Sequence, residues 1–129
     1  MIGLFLLTHS TYGEALIQCA CHVLNKRPLQ IAQLGVAAQD DPLDALPLAR
    51  DMLKLVDAGS GVLILTDIYG ASPSNLAMKL LEPGRVEGIA GVNLPMLLRA
   101  IAYRDKGMET LVTRAVAGGR DGVLNMLKH

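Results

Sequence analysis

Aromatic residues are scarce in this chain: three Tyr, one Phe and no Trp make up 3% of its 129 residues. Platforms that stack unpaired bases are built from such rings, so single-stranded nucleic acid is a poor partner. A surplus of either charge is missing too. Twelve Lys and Arg face twelve Asp and Glu, a formal net charge of zero, which offers no basic field to a nucleic-acid backbone or an anionic membrane surface. The longest apolar runs, residues 3–7 and 62–65, fall far short of the ~18 residues that a membrane-spanning helix takes. No basic segment precedes residues 2–7, as a secretory leader would require, so the expected compartment is the cytoplasm. Only Cys19 and Cys21 are present. Their spacing fits neither the Cys-x-x-Cys redox motif nor a zinc knuckle, and buried free thiols are expected.

What the chain does have is aliphatic residues. Apolar residues reach 51% against 19% charged, a balance that builds a core and is unlike that of disordered chains. The length suits one domain, residues 1–129. Residues 2–7, 29–36, 61–65 and 86–92 are apolar without polar alternation, the pattern of parallel strands covered on both faces. The segments between them have helical spacing. Ala15, Leu16, Cys19, Ala20, Val23 and Leu24 form one stripe on a helix over residues 11–25. Residues 43–56 form a second, which Pro47 interrupts or restarts. A third opens at Ser72-Pro73, with Ser as N-cap and Pro in the first turn, and buries Leu76, Ala77, Leu80 and Leu81.

The predicted fold is therefore α/β, an open parallel sheet of about four strands with helices on both faces. Beyond the last strand, Asn93-Leu94-Pro95 leads into a helix bearing Leu97, Leu98 and Ile101. Residues 108–117 make another, stopped by Gly118-Gly119. The tail, residues 120–129, keeps Val123, Leu124 and Leu127 on one side, which suits a short terminal helix or a segment pairing with another subunit.

In an open parallel sheet, ligands bind outside the carboxyl ends of the strands, which directs attention to residues 8–13, 35–41, 66–73 and 93–95. His9 follows the first strand and sits off the apolar stripe. Thr11-x-x-Glu14 matches a capping box, placing His9 by the exposed amides and positive dipole end of a helix, where anions are favoured. Asp67 occupies the matching point after the third strand. A carboxylate bonded to one imidazole nitrogen fixes the tautomer and leaves the other nitrogen's lone pair nucleophilic. Gly70, Ala71 and Ser72 then open the third helix with amides and a hydroxyl suited to an anion.

Other chemistries lack their motifs. There is no Gly-x-x-x-x-Gly-Lys-Ser/Thr loop, no Gly-x-Ser-x-Gly elbow and no cluster with metal-ligand spacing. His22 and His129 are expected to be solvated or packed. Arg99, Arg104, Asp105 and Lys106 read as a solvated helix end.

Three motifs, Thr8-His9-Ser10, Asp67-Ile68-Tyr69-Gly70-Ala71-Ser72-Pro73-Ser74-Asn75 and Gly91-Val92-Asn93-Leu94-Pro95-Met96-Leu97, occur in order after the first, third and fourth strands. With them the sequence resembles the enzyme IIA component of the mannose class of the bacterial phosphoenolpyruvate-dependent sugar phosphotransferase system, over nearly the whole chain. The resemblance implies that His9 accepts a phosphoryl group on Nε2 from the phosphocarrier HPr and passes it to a histidine of a IIB component. It also implies that Asp67 bonds the other ring nitrogen, that Ser72 lies near the phosphoryl oxygens, and that neither a metal nor a nucleotide cofactor is needed. By the same analogy the protein is a homodimer built through its C-terminal region, and it meets the membrane only through IIC and IID partners. Many members have Gly-Gly before Ser-Pro where this chain has Gly70-Ala71. The phosphotransferase subunit of dihydroxyacetone kinases shares the fold but lacks the Tyr-Gly-x-Ser-Pro pattern. Two alternatives to a sugar-uptake carrier stand beside it: a regulatory module whose partner binding depends on phosphorylated His9, and a small-molecule binding domain.

Overall fold

The computed structural model describes residues 1–37 and 39–128. Its elements run β1 (Gly3–His9), α1 (Tyr12–Leu24), β2 (Ile31–Val36), a 3-10 turn (Pro42–Ala45), α2 (Leu46–Val56), β3 (Val62–Thr66), α3 (Ser72–Met78), β4 (Val86–Ala90), α4 (Leu94–Tyr103), α5 (Met108–Asp121) and a final 3-10 turn (Met126–Lys128). The four strands form one parallel sheet in the order β2-β1-β3-β4. The predicted architecture is the observed one.

Alternation of side chains along a strand splits the core in two. Leu4, Leu6, Leu63 and Leu65 point to the layer of α1, α4 and α5, where they meet Ile17, Leu97 and Leu111. Phe5, Leu7, Val62 and Ile64 point the other way, to Ala49 of α2 and Leu76 and Ala77 of α3. Uninterrupted apolar sequence thus marks β1 and β3, whose residues are buried along almost their whole length. The edge strands β2 and β4 are covered less completely.

From β1 the chain passes through α1 to β2 on one side, then returns through α2 to β3 on the other side of β1. The order reverses between β1 and β3. Two strand ends diverge there, and the crevice left between their loops is where this class of sheet binds ligands.

Pro47 does restart the second helix: Asp41 caps the 3-10 turn through the Leu43 amide, and α2 opens with Pro47 in its first turn. Four expectations are corrected. Gly118-Gly119 does not stop a helix, because α5 continues to Asp121 and buries both glycines against α4. Arg104 is not solvated but 3% exposed, with Nε donating to the Ile2 carbonyl and its terminal nitrogens to those of Leu29 and Gln30. Cys19 is exposed and Cys21 half-buried, since the apolar stripe of α1 centres on Leu16, Ile17 and Ala20. The apolar run at 29–36 yields a strand only from Ile31, after the positive φ of Gln30 (+48°), and Leu29 is exposed. His22 is exposed as expected, His129 lies outside the described residues, and Val123, Leu124, Met126 and Leu127 stand in solvent.

Candidate functional site

His9 is the last residue of β1 and Asp67 the first after β3, so the switch between these strands sets them side by side. Imidazole Nδ1 lies 2.9 Å from Asp67 Oδ2. The same oxygen accepts the backbone N–H of His9 at 3.0 Å, and Oδ1 accepts that of Ile68 at 3.2 Å. These donors aim the carboxylate at the ring, and as an acceptor it favours the tautomer with the proton on Nδ1. Nε2 then carries the lone pair and, among the described residues, meets no hydrogen-bond partner. The His9 side chain is 35% exposed and that of Asp67 16%. One edge of the ring is therefore open to an incoming group while the other is fixed.

The turn after His9 leads straight into α1. The expected capping box is absent: Thr11 makes no side-chain cap bond. Buried Thr8 takes that task, its Oγ1 accepting the Gly13 amide at 2.8 Å from inside the last stretch of β1. Ser10 bridges the two with φ +48°, its amide donating to the Val36 carbonyl at 3.1 Å.

Gly70 and Ala71 lie between β3 and α3, on the loop that Asp67 begins, and Ser72 opens α3. Gly70 has φ +87°, a left-handed conformation that glycine adopts without strain. Ala71 is extended, with φ −100° and ψ 174°, a conformation open to any residue, so Gly70-Ala71 serves as well as Gly-Gly. Ser72 is the first residue of α3 and not its cap. Ser74, buried, organises the turn instead: its Oγ accepts the Gly70 amide at 2.8 Å and donates to the Ala71 carbonyl at 3.0 Å. The Gly70 N–H is thereby committed, whereas the N–H groups of Ser72 and Ser74 have no acceptor within the helix; Pro73 carries none, and Asn75 donates to the Ala71 carbonyl.

The third motif closes the far side. Gly91 and Val92 both donate to the Thr66 carbonyl at 2.9 Å, and Asn93 caps α4 through the Met96 amide at 2.9 Å. Asn93 also donates to the Gly119 carbonyl of α5 at 3.0 Å.

Residues 3–116 match the EIIA-man family, described as PTS system fructose IIA component. The chain belongs to the mannose-class IIA family of the phosphotransferase system. This IIA chain is 30% identical over 125 residues to the mannose-specific EIIAB component of Escherichia coli K12, a match that takes in 95% of the chain and 38% of that relative. It thus spans well under half the length of that curated relative. The fructose-specific EIIA component of Bacillus subtilis is 41% identical over 54 residues, 41% of the chain and 37% of the relative. In fold it is similar to the crystal structure of EIIA from Streptococcus agalactiae, at TM-score 0.87 and 17% identity over the whole of both chains. It is also similar to the mannose/sorbose-specific IIA subunit from Enterococcus faecalis, at TM-score 0.83 and 23% identity over 96% of this chain and 93% of the other.

Membership places the IIA chain in a family of the phosphotransferase system, and no helix among its described residues is long and apolar enough to cross a membrane. Two residues at this end of the sheet escape sequence reasoning. Thr8, which the sequence assigns to the loop after the first strand, is instead a buried residue of β1, and its capping of the Gly13 amide carries no signal without that partner five positions on. Tyr12, at the start of α1, donates its hydroxyl to the Val92 carbonyl at 2.8 Å. No spacing in the sequence announces a contact across 80 residues.

Proposed function

We propose that His9 is a covalent phosphoryl relay, receiving its group from phospho-HPr and handing it to a IIB component in sugar uptake. The observation that carries this reading is the 2.9 Å contact between Nδ1 and Asp67, which leaves Nε2 as the nucleophile at the open edge of the ring. In the transfer, the Nε2 lone pair forms a bond to phosphorus as the donor's phosphorus–nitrogen bond breaks and returns its electron pair to the donor nitrogen. The proton on Nδ1 stays in its bond to Asp67. Phosphoryl transfer asks little of a protein beyond alignment of the nucleophile and donors for the three equatorial oxygens. In this reading the Ala71 and Ser72 amides and the Ser72 hydroxyl serve as those donors, while Gly70, whose amide donates to Ser74 Oγ, shapes the turn.

In this reading the chain works in the cytoplasm, as a homodimer, and meets the membrane only through IIC and IID partners. Incubation with phosphoenolpyruvate, enzyme I and HPr should give an acid-labile adduct that His9→Ala lacks. Subsequent addition of a IIB component should discharge it. A wild-type chain left unmodified would exclude the relay, and an adduct that no IIB component discharges would exclude onward transfer. Light scattering should report twice the mass of one chain.

A further inference from the structure

The contacts around His9 close into a ring. His9 bonds Asp67 at 2.9 Å. Thr66, just before Asp67, accepts the amides of Gly91 and Val92 through its carbonyl, and the Val92 carbonyl accepts the Tyr12 hydroxyl at 2.8 Å. Tyr12 lies three residues beyond His9. Side chains close this ring at two places only, His9 to Asp67 and Tyr12 to Val92, and the remaining links are backbone.

The turn inside the ring is not a relaxed one. Ser10, at φ +48°, holds a conformation that a residue with a Cβ keeps only where its surroundings impose it. On the β2 side the constraint is tight: Ser10 bonds the Val36 carbonyl, and a Cβ at Gly35 would sit 1.9 Å from the Ser10 oxygen. Those contacts fasten the turn on the β2 side, and on the Asp67 side the His9 amide donates to Oδ2 at 3.0 Å. Tyr12 is the side chain of this turn that reaches to the β4 side.

We infer that Tyr12 is a positioning residue for the His9–Asp67 pair, its hydroxyl bond to Val92 holding the turn where Nδ1 meets the carboxylate. The inference rests on the reading of His9 as phosphoryl acceptor and adds a determinant of its geometry. The phenol suits a fixed donor: partial burial, then the nearby Asp67 carboxylate, pushes its ionisation up, so it stays neutral and protonated near pH 7. The residue is 40% exposed, so loss of the hydroxyl alone opens no core cavity.

Tyr12→Phe and Tyr12→Leu in the full chain test this through two readouts. The imidazole nitrogen spectrum of the unphosphorylated protein should show one tautomer, protonated on Nδ1, in the wild type and a mixture in both variants. Phosphorylation by phospho-HPr should slow by about fivefold at saturating donor, with KM changed by less than about twofold, the scale of one neutral hydrogen bond that acts on alignment. A wild-type imidazole spectrum in Tyr12→Phe overturns the inference, as does a shift confined to Tyr12→Leu, which would assign the effect to ring packing. A wild-type chain that takes no phosphoryl group, while Tyr12→Phe still alters the spectrum, would remove the relay and leave the placement by Tyr12 standing.

Discussion

At the scale of single residues, Asp67 concentrates the most chemistry in the fewest atoms, with Oδ2 shared between the ring and the main chain of His9. Asp67→Asn keeps the shape but replaces the charged acceptor with a neutral amide, so the preference for the Nδ1 tautomer weakens. Phosphorylation of that variant should slow about 10- to 100-fold, the value of one charge-assisted bond, with an unchanged thermal midpoint; full activity would remove the orienting role. His9 and Asp67 were both legible in the sequence, because each stands where an apolar run ends and a turn begins. Thr8 and Arg104 were not. A threonine just past an apolar run reads as the start of a loop although β1 extends through it, and periodicity assigns an arginine to solvent, whereas folding supplies Arg104 with three carbonyls.

Elements show where pattern reading succeeds and where packing overrides it. The central strands were readable because both their faces are covered, and Pro47 marked its helix start for covalent reasons. Gly118-Gly119 misled, since glycine ends many helices, yet here its missing side chain lets α5 close onto α4. A Cβ at Gly118 would lie 2.7 Å from Arg99 Cβ. Gly118→Ala gains about 1 kcal/mol in helix propensity but costs about 1–3 kcal/mol in overpacking; because Arg99 Cβ cannot swing aside, the net should be a loss of about 1 kcal/mol in denaturant unfolding.

The loop after α2 makes a second case at this scale. Asp57 Oδ1 accepts the Gly59 and Gly61 amides and Oδ2 pairs with Arg85, and the Gly59 bond foremost holds this carboxyl below the ordinary range despite the opposing effect of burial. A lowered native pKa means that the unfolded chain binds the proton more tightly, so the contribution of Asp57 is complete above the ordinary carboxylate range and is lost as pH falls through it. Asp57→Asn should destabilise by about 1 kcal/mol at pH 7, and the gap to wild type should narrow below about pH 4.

Over the whole molecule, two ends of one sheet do different work. At the amino end Arg104 ties α4 to the start of β1 and to the approach to β2, and Ile2 returns a bond from its amide to the Arg104 carbonyl. Arg104→Met should cost about 3 kcal/mol by leaving buried carbonyls without donors, read as a lower denaturation midpoint, while His9 in the folded fraction keeps its imidazole spectrum. At the carboxyl end the reversal of strand order between β1 and β3 brings together residues 58 positions apart. Topology, and not a local motif, builds the site. The chain's zero net charge fits the proposed relay, since a phosphoryl group delivered by a protein needs an aligned imidazole and a few amides, not a charged cleft.

The most direct test is the nitrogen spectrum of His9 after phosphorylation by phospho-HPr. The predicted result is a phosphoryl group on Nε2 with Nδ1 still protonated toward Asp67. A phosphoryl group on Nδ1, or on any residue other than His9, would contradict it.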